Sequence, residues 1–539
     1  MLPKGGDYID GEFTRHPGMS SANEILHPRI HAQTDPQRVA VRMADSDDKL
    51  SYGELVANAD RAAQLFNHLG LQQGDTIALL LENHVRYAEL CWAAKNSGLH
   101  YACISSQSSL ADAAYIVENS EAKLLISSAR LASLAADLAR TLSPTASGDK
   151  RRFLMVGEKY PSAPFVSYES ALQQMPARPL AGRVRGPSML YSSGTTGRPK
   201  GVRSTLSDES PEIPPRRLAM LRSRYPLDSN TVLYAPGPMY HAAPGRFMMS
   251  VLRCGGTFIS CSKFDALQSL QTIERYRVNF ALLVPTMMIR MLRLPEAQRR
   301  ASDLSSLQCA LHLGAPCPVA IKEQIIEWWG PIVEELYGGT EAFGHTMINS
   351  EQWLAHKGSV GKPAAGCSIR IVDESGQPVK NFEPGLIYMN NGHRFEYFKD
   401  PEKTRGAITE DGWGTLGDVG YLDDEGYLYL TDRASHMIIS GGVNIYPQEA
   451  ENLLMTHPEV SDVAVIGVAH EEFGEEVKAL IVPLQFPVTD PVAMEREIIA
   501  FCRSQLSVIK CPRSVEFVDA LPRNESGKLL KHLLRERFA

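Results

Sequence analysis

Apolar positions along the first part of the chain change period several times. Ser51 and Glu54 have the spacing of a capping box, and Leu55, Ala59, Ala62, Leu65, Phe66 and Leu69 follow at helical intervals. Gly70 and Gly74-Asp75 end that helix, and residues 76–81 are then continuously apolar. A run apolar on both faces predicts a buried parallel strand. The alternation recurs as helix over 87–97, strand over 101–104, helix over 110–119 and strand over 122–126. Repeated exchange of the two periods predicts parallel sheets covered by helices. Residues 278–292 read as a buried strand followed by a helix. They are broken by Pro285 and Arg290 and are too short to span a bilayer.

Two later stretches read differently. Residues 204–226 are rich in Pro, Arg and Ser without clear periodicity, which predicts a flap or surface excursion. Residues 366–380 and 385–390 look like short strands with turns, a small β-rich subdomain closing the N-terminal portion. Beyond Asp432-Arg433 a compact unit follows: helix near 448–456, strands over 460–468 and 477–483, helix over 491–506, strand over 514–517. The expected architecture is α/β. A large N-terminal domain of βαβ-type sheets with the β-rich subdomain covers residues 1–434, and a small α+β domain covers 435–539.

Composition narrows the class. A chain of 539 residues, 44% hydrophobic and 22% charged, is globular and too long for one core. A net charge of −7 argues against a general nucleic-acid binder. Residues 1–10 have neither a basic nor an apolar signal region, and the nine cysteines form no C-x-x-C pair. Reduced thiols and a cytoplasmic location are expected, with no integral membrane segment. Cys309 and Cys317 are read as small buried fillers, and no His/Cys cluster has zinc spacing.

The most specific chemistry lies in Tyr191-Ser-Ser-Gly-Thr-Thr-Gly-Arg-Pro-Lys-Gly201. Small residues let the backbone approach a charged oxygen, hydroxyls and N–H groups donate to it, and Lys200 adds a cation. A Walker A loop needs its lysine directly after glycine, whereas Pro199 precedes Lys200. A Gly/Ser-rich surface turn would account for a shorter run, not for this one.

This segment resembles the phosphate-binding signature of the acyl-adenylate-forming (AMP-binding) superfamily. That superfamily comprises acyl- and aryl-CoA synthetases, peptide-synthetase adenylation domains and beetle luciferases. Further motifs stand in the family's order: Tyr337-Gly-Gly-Thr-Glu341, Thr415-Leu-Gly-Asp418, Asp432-Arg433 with the segment 437–447, and Leu521-Pro-Arg-Asn-Glu-Ser-Gly-Lys528. The resemblance spans nearly the whole chain and points to its acyl-CoA synthetase branch.

It implies a role for each motif. Ser192, Ser193, Gly194, Thr195, Thr196, Gly197 and Lys200 would cradle the phosphates of ATP. Glu341 would hold Mg²⁺, with Thr340 donating to the α-phosphate. Gly314, Ala315 and Pro316 would line one side of the adenine, and Glu335, Leu336, Tyr337 and Gly338 the other. Asp418 and Arg433 would bind the ribose. Lys528 would stabilise the charge developing during adenylation. Gly441 and Gly442 would border the CoA thiol, and Ser435 would be the hinge about which a mobile C-terminal domain turns. That position is usually Asp or Lys, and His436 stands at a usual Asp/Glu, so the hinge departs in charge. Tyr234, Tyr240 and His241 would line the acyl pocket.

The expected enzyme is an AMP-forming acid–thiol ligase with Mg²⁺ as cofactor and ATP and CoA as co-substrates. Tyr, Met and small residues over 234–250 suit a hydrophobic acid, whether fatty, cyclic or steroid-like. Aryl-CoA ligase activity and a stand-alone adenylation protein loading a carrier thiol are the alternatives; no carrier segment is expected in a chain ending at Ala539. A homodimer is left open. A luciferase-type oxygenase ranks lower, and a non-catalytic relative would be expected to lack Glu341 or Lys528.

Overall fold

The structure, a computed structural model, describes residues 25–143, 148, 150–192, 199–206, 208–433, 436–441, 443–523 and 529–538. Helix Tyr52–His68 begins as its sequence dictates. Ser51 Oγ accepts from Glu54 N at 3.2 Å while Glu54 Oε2 accepts from Ser51 N at 2.8 Å. That reciprocal pair satisfies two helix-end donors, and Leu55, Ala59, Ala62, Leu65 and Phe66 bury the apolar face.

The apolar run at 76–81 forms strand Thr76–Leu80, buried throughout and paired in parallel with His100–Ile104 and Leu124–Ser128. These strands belong to an eight-stranded sheet that also holds Arg152–Val156 and Ser188–Ser192, and Lys200–Arg203 and Glu396–Tyr397 extend one edge antiparallel. A thirteen-stranded path carries the other parallel core: Val39–Met43, Thr257–Ser260, Val232–Tyr234, Phe280–Leu283, Cys309–Leu313 and Val333–Gly338. The β-rich portion appears as Ser368–Val372, Gly385–Asn390, Asp418–Leu422 and Leu428–Arg433. It continues this path through Ser359–Pro363.

The segment 204–226 departs from expectation. It contains helix Arg216–Arg224, anchored by buried Leu218 and Leu221. Two apolar anchors among four arginines make a stripe too narrow to stand out in sequence.

The small C-terminal unit has its own five-stranded sheet, with Val460–His470 and Gly474–Pro483 antiparallel and Ser514–Phe517 parallel to the latter. Helices Pro447–Leu454 and Pro491–Arg503 cover it around Ile438, Val463, Val465, Ile481 and Ile498. No helix among the described residues is long and apolar enough to cross a membrane.

Candidate active site

The candidate segments share one topological address. Residues 193–199 follow strand Ser188–Ser192, His241 lies beyond Val232–Tyr234, Gly314 ends Cys309–Leu313, and Thr340-Glu341 follows Val333–Gly338. All four parallel strands present their carboxyl ends there, where open α/β sheets leave a crevice for ligands.

Residues 193–198 and the side chain of Ser192 lie outside the described residues, so Ser193, Gly194, Thr195, Thr196 and Gly197 are not described. Their flanks are. Ser192 and Lys200 are register partners, which makes the phosphate segment the link of a hairpin. On its other side the Lys200 strand pairs with Glu396–Tyr397, Val202 opposite Tyr397. Lys200 Nζ stands 5.3 Å from the centre of the Tyr397 ring. The Tyr397 hydroxyl donates to Glu341 Oε1 at 2.8 Å, with both residues 7% exposed. Lys200, in the eight-stranded sheet, and Glu341, in the turn after a strand of the thirteen-stranded path, are therefore joined through Tyr397.

The turn bearing Thr340 and Glu341 is fixed from several directions. Arg246 Nη2 donates to Thr340 O at 2.7 Å, and Asn391 Nδ2 donates to Ala342 O at 3.0 Å. Ala342 has φ +60, a left-handed conformation that costs a residue with a Cβ about 1 kcal/mol or more. Gly339 must lack a side chain: a Cβ there would stand 2.4 Å from Leu416 Cδ2 and 2.8 Å from Glu341 Oε2. The glycine thus leaves room beside the carboxylate.

The nucleotide-lining segments also meet. Leu313 and Leu336 are register partners, so Gly314-Ala315-Pro316 leaves its strand beside Leu336-Tyr337-Gly338. Gly314 makes its turn with φ +88. The Tyr337 hydroxyl donates to Asp418 Oδ2 at 2.7 Å, and Asp418 stands in register with Arg433, whose side chain is outside the described residues.

Glu335 needs a correction. Its side chain accepts from buried Lys322 Nζ at 2.5 Å and lies 3.5 Å from His312 Nε2, so it serves an internal ion pair and not an open slot. Desolvation raises the Glu335 pKa despite Lys322, and it drives the His312 pKa well below normal. Glu335 can border a nucleotide only through its backbone.

Of the acyl-pocket residues, Tyr240 and His241 stay together, with ring centres 4.7 Å apart. Ser105 Oγ donates to Tyr240 Oη at 3.3 Å. His241 precedes helix Ala242–Cys254 without capping it; its buried Nε2 has no partner, and burial pulls its pKa down to about 4. Tyr234 does not join them. Its hydroxyl bonds Ser269 Oγ at 3.0 Å inside a separate core cluster with Ile259, Leu270 and Met287, so its side chain fills core rather than pocket wall.

In the C-terminal unit Gly441 has φ +56 and its N–H donates to Phe473 O at 2.8 Å. Gly442, the hinge Ser435 and the catalytic candidate Lys528 lie outside the described residues. The approach to Lys528 is anchored by Arg523, paired with Asp462 Oδ1 at 2.6 Å. Two residues of the candidate site, Tyr397 and Arg246, went unread in sequence, as did Lys322, the buried partner of Glu335. An arginine within the first two turns of the apolar helix 242–254 was the available signal for Arg246.

The family model described as AMP-binding enzyme matches residues 29–395, and that of the AMP-binding enzyme C-terminal domain matches 449–528. The chain belongs to the AMP-binding enzyme family. It is 31% identical over 527 residues to a 2-succinylbenzoate–CoA ligase of Bacillus pumilus, covering 96% of this chain and 98% of that one. It is 32% identical over 522 residues to a long-chain-fatty-acid–CoA ligase of Mycobacterium tuberculosis, covering 95% and 96%. The ATP-bound structure of MatB from Rhodopseudomonas palustris superposes with a TM-score of 0.79 at 28% identity, covering 95% and 99%. The chain is accordingly an AMP-forming acid–thiol ligase that uses ATP, Mg²⁺ and CoA.

The residues present suit that metal. Glu341 supplies a hard oxygen, which a side chain at Gly339 would crowd. Among the described residues no group of three or more His, Cys, Asp or Glu could hold an ion alone. One carboxylate completed by phosphate oxygens is the habit of Mg²⁺.

Proposed function

We propose that this ligase activates a carboxylic acid with an apolar body as its acyl-adenylate and transfers the acyl group to CoA. The reading rests on one observation. Lys200, Tyr397 and Glu341 form a continuous chain of contacts, with the Tyr337–Asp418 bond on the strand that leads into Glu341 and the Tyr240–His241 pair beyond strand Val232–Tyr234.

Joining a carboxylate to a thiol needs a better leaving group than hydroxide, and the mixed anhydride with AMP provides it. Lys200 and residues 192–197 grip the β- and γ-phosphates, while Asp418 and Arg433 hold the ribose. Gly314–Pro316 and the backbone of 335–338 flank the adenine. Glu341, oriented by Tyr397, holds Mg²⁺, which when bound screens the phosphate charge. Thr340 donates to the α-phosphate, and Tyr240 and His241 border the reacting carboxylate. A neutral His241 suits this place, because an unpartnered imidazole can donate one hydrogen bond without pairing permanently with the anion. Lys528 meets the charge that develops on the α-phosphate during adenylation. The chain divides at 434/435, and turning about Ser435 exchanges Lys528 for Gly441-Gly442 beside the CoA thiol.

A cytoplasmic enzyme fits reduced, scattered cysteines, and a homodimer remains compatible. An aryl acid is the second reading, favoured by the relative named for 2-succinylbenzoate. The deciding experiment is pyrophosphate release over a carboxylic-acid panel, with and without CoA. AMP, pyrophosphate and acyl-CoA are the expected products. ADP and phosphate would refute the reading, and acid-dependent pyrophosphate without thioester would move the acceptor to a carrier protein.

A further inference from the structure

Helix Arg216–Arg224 lays one ridge against the hairpin formed by strands Val333–Gly338 and His345–Ile348. Arg224 Nη2 donates to Glu334 Oε2 at 2.7 Å, and Met220 Sδ lies 3.1 Å from His345 Nε2. His345 is the register partner of Gly338, so the ridge advances from Glu334 toward the Thr340–Glu341 turn. Residues four and three apart share a helix face, which puts Arg217 next on the ridge. A strand gains about 13 Å over the four residues from Glu334 to Gly338. The next helix step carries Arg217 about 4.5 Å further along the ridge. Arg246 reaches the same turn from helix Ala242–Cys254 through its bond to Thr340 O.

Arg246 helps to fix the Thr340 turn, but Arg217 is poorly placed for stability. Arg217 is the second residue of its helix, where the positive end of the macrodipole disfavours a cation. That first turn has no acidic residue and no side-chain cap. Among the described residues no carboxylate pairs with the Arg217 guanidinium. Burial and the charge of Arg246 pull its pKa down to about 9, and burial also lowers that of Arg246, against the raising effect of Glu341. A guanidinium does not escape such a site by losing its proton, so an arriving anion is the remaining compensation. Lys95, Tyr101, Arg246, His345 and His393 stand within electrostatic reach of Arg217, and no carboxylate is among them; next to it on the helix, Leu218 and Leu221 join Tyr225, Phe247 and Phe280 in one apolar cluster. Glu341, by contrast, faces Tyr397 and Lys200 on the phosphate side.

We propose that Arg217, backed by Arg246, is a specificity-determining subsite for a second anionic group on the acyl substrate, so that the acid activated is a dicarboxylic acid with an apolar body. This rests on the acyl-CoA ligase reading given above and names its substrate class. One carboxylate reacts near His241 while the other pairs with the Arg217 fork, and the apolar body lies against the apolar cluster.

The test compares matched acids on the full chain with Mg-ATP and CoA. Decanedioate is set against decanoate, and 3-(4-carboxyphenyl)propanoate against 3-phenylpropanoate, with pyrophosphate release as the readout. The parent is expected to favour the diacid of at least one pair by about 100-fold in kcat/KM, as a site built for a polar group rejects its apolar analogue. Arg217→Met should bring that ratio near one, with KM for ATP within about threefold of the parent. Arg217→Lys, which keeps the charge, should restore part of the preference and guards against a folding artefact. A parent that turns over the monoacids equally or better overturns the subsite but leaves the ligase reading standing. A raised KM for ATP with an unchanged acid ratio in Arg217→Met assigns the residue to the nucleotide and likewise overturns it. No pyrophosphate with any acid overturns the ligase reading and the subsite together.

Discussion

Tyr397→Phe isolates the contact that ties the Glu341 carboxylate, proposed to hold magnesium, to Lys200. The substitution deletes one hydroxyl, which donates to Glu341 Oε1 at 2.8 Å between two residues each 7% exposed. It keeps the ring that stands 5.3 Å from Lys200 Nζ and packs edge-on against Phe395 at 5.2 Å, so fold and cation contact persist. A hydrogen bond to a charged, buried acceptor is worth about 1.5–3 kcal/mol, and its loss leaves part of the carboxylate desolvated and unsatisfied. Taking about 2 kcal/mol and dividing by RT gives a roughly 30-fold loss in kcat/KM for adenylation. Acid-dependent exchange of pyrophosphate into ATP measures this, run across a magnesium titration because the bond orients the carboxylate proposed as the magnesium ligand. Thioester formation from supplied acyl-AMP should be spared, since that step no longer needs the triphosphate. A double-mutant cycle with Glu341→Gln should show coupling, the two losses failing to add. Exchange within about threefold of the parent at every magnesium concentration would refute the orienting role, as would additive losses in the cycle.

Lys528→Ala should slow adenylation by about 10²–10³-fold while sparing thioester formation from supplied acyl-AMP; equal loss of both half-reactions contradicts the division of labour. Lys322→Met and Glu335→Gln each strand one partner of a buried pair at 2.5 Å, and urea unfolding should report about 3–5 kcal/mol lost for each single variant, less than the sum for both together. Singles within about 0.5 kcal/mol of the parent would show the pair to be idle. His241, held down to about 4 by burial, ionises in the unfolded chain near 6.5, so its burial favours unfolding progressively as pH falls from about 6.5 to 4. His27 (about 3) and His100 (about 4) act in the same direction. Thermal midpoints should therefore drop over that window, and His241→Gln should drop less; an identical acid profile in the variant would remove His241 from the account.

Local rules carried the reading wherever one element answered to its own residues. The Ser51–Glu54 box, the strand at Thr76–Leu80 and the helix Leu110–Asn119 need only capping and periodicity, and they stand where the sequence places them. The motif segments were legible because their composition is unusual for a structural turn. Partners were not. Tyr397 meets Glu341 across 56 positions, and nothing local to Phe395-Glu-Tyr-Phe398 announces a hydroxyl bound to a carboxylate. Tyr234 and Tyr240 look alike in sequence, yet Tyr234 lies in a strand and turns its hydroxyl to Ser269. Glu335 was read with its neighbours as one lining segment. Pleating alone separates it from them, and its cation, Lys322, comes from the preceding helix.

This division between local and distant determinants has a mechanical consequence. Strand Gly385–Asn390 lies in the thirteen-stranded path, and after residues 391–395 the chain reappears as Glu396–Tyr397 on the edge of the eight-stranded sheet. That short crossing carries Asn391 to Ala342 O and Tyr397 to Glu341, and it pairs Tyr397 beside Val202 in the Lys200 strand. One segment thus sets the position of the Glu341 carboxylate, its turn and the Lys200 strand at once. Charges placed in advance stabilise a transition state without reorganising as it forms, provided the elements bearing them do not drift apart. Two sheets joined only by apolar packing would leave that distance to side-chain adaptation. Hydrogen bonds from a shared crossing fix it in the backbone, which explains why the residue most closely joined to both charges is a tyrosine outside every recognised motif.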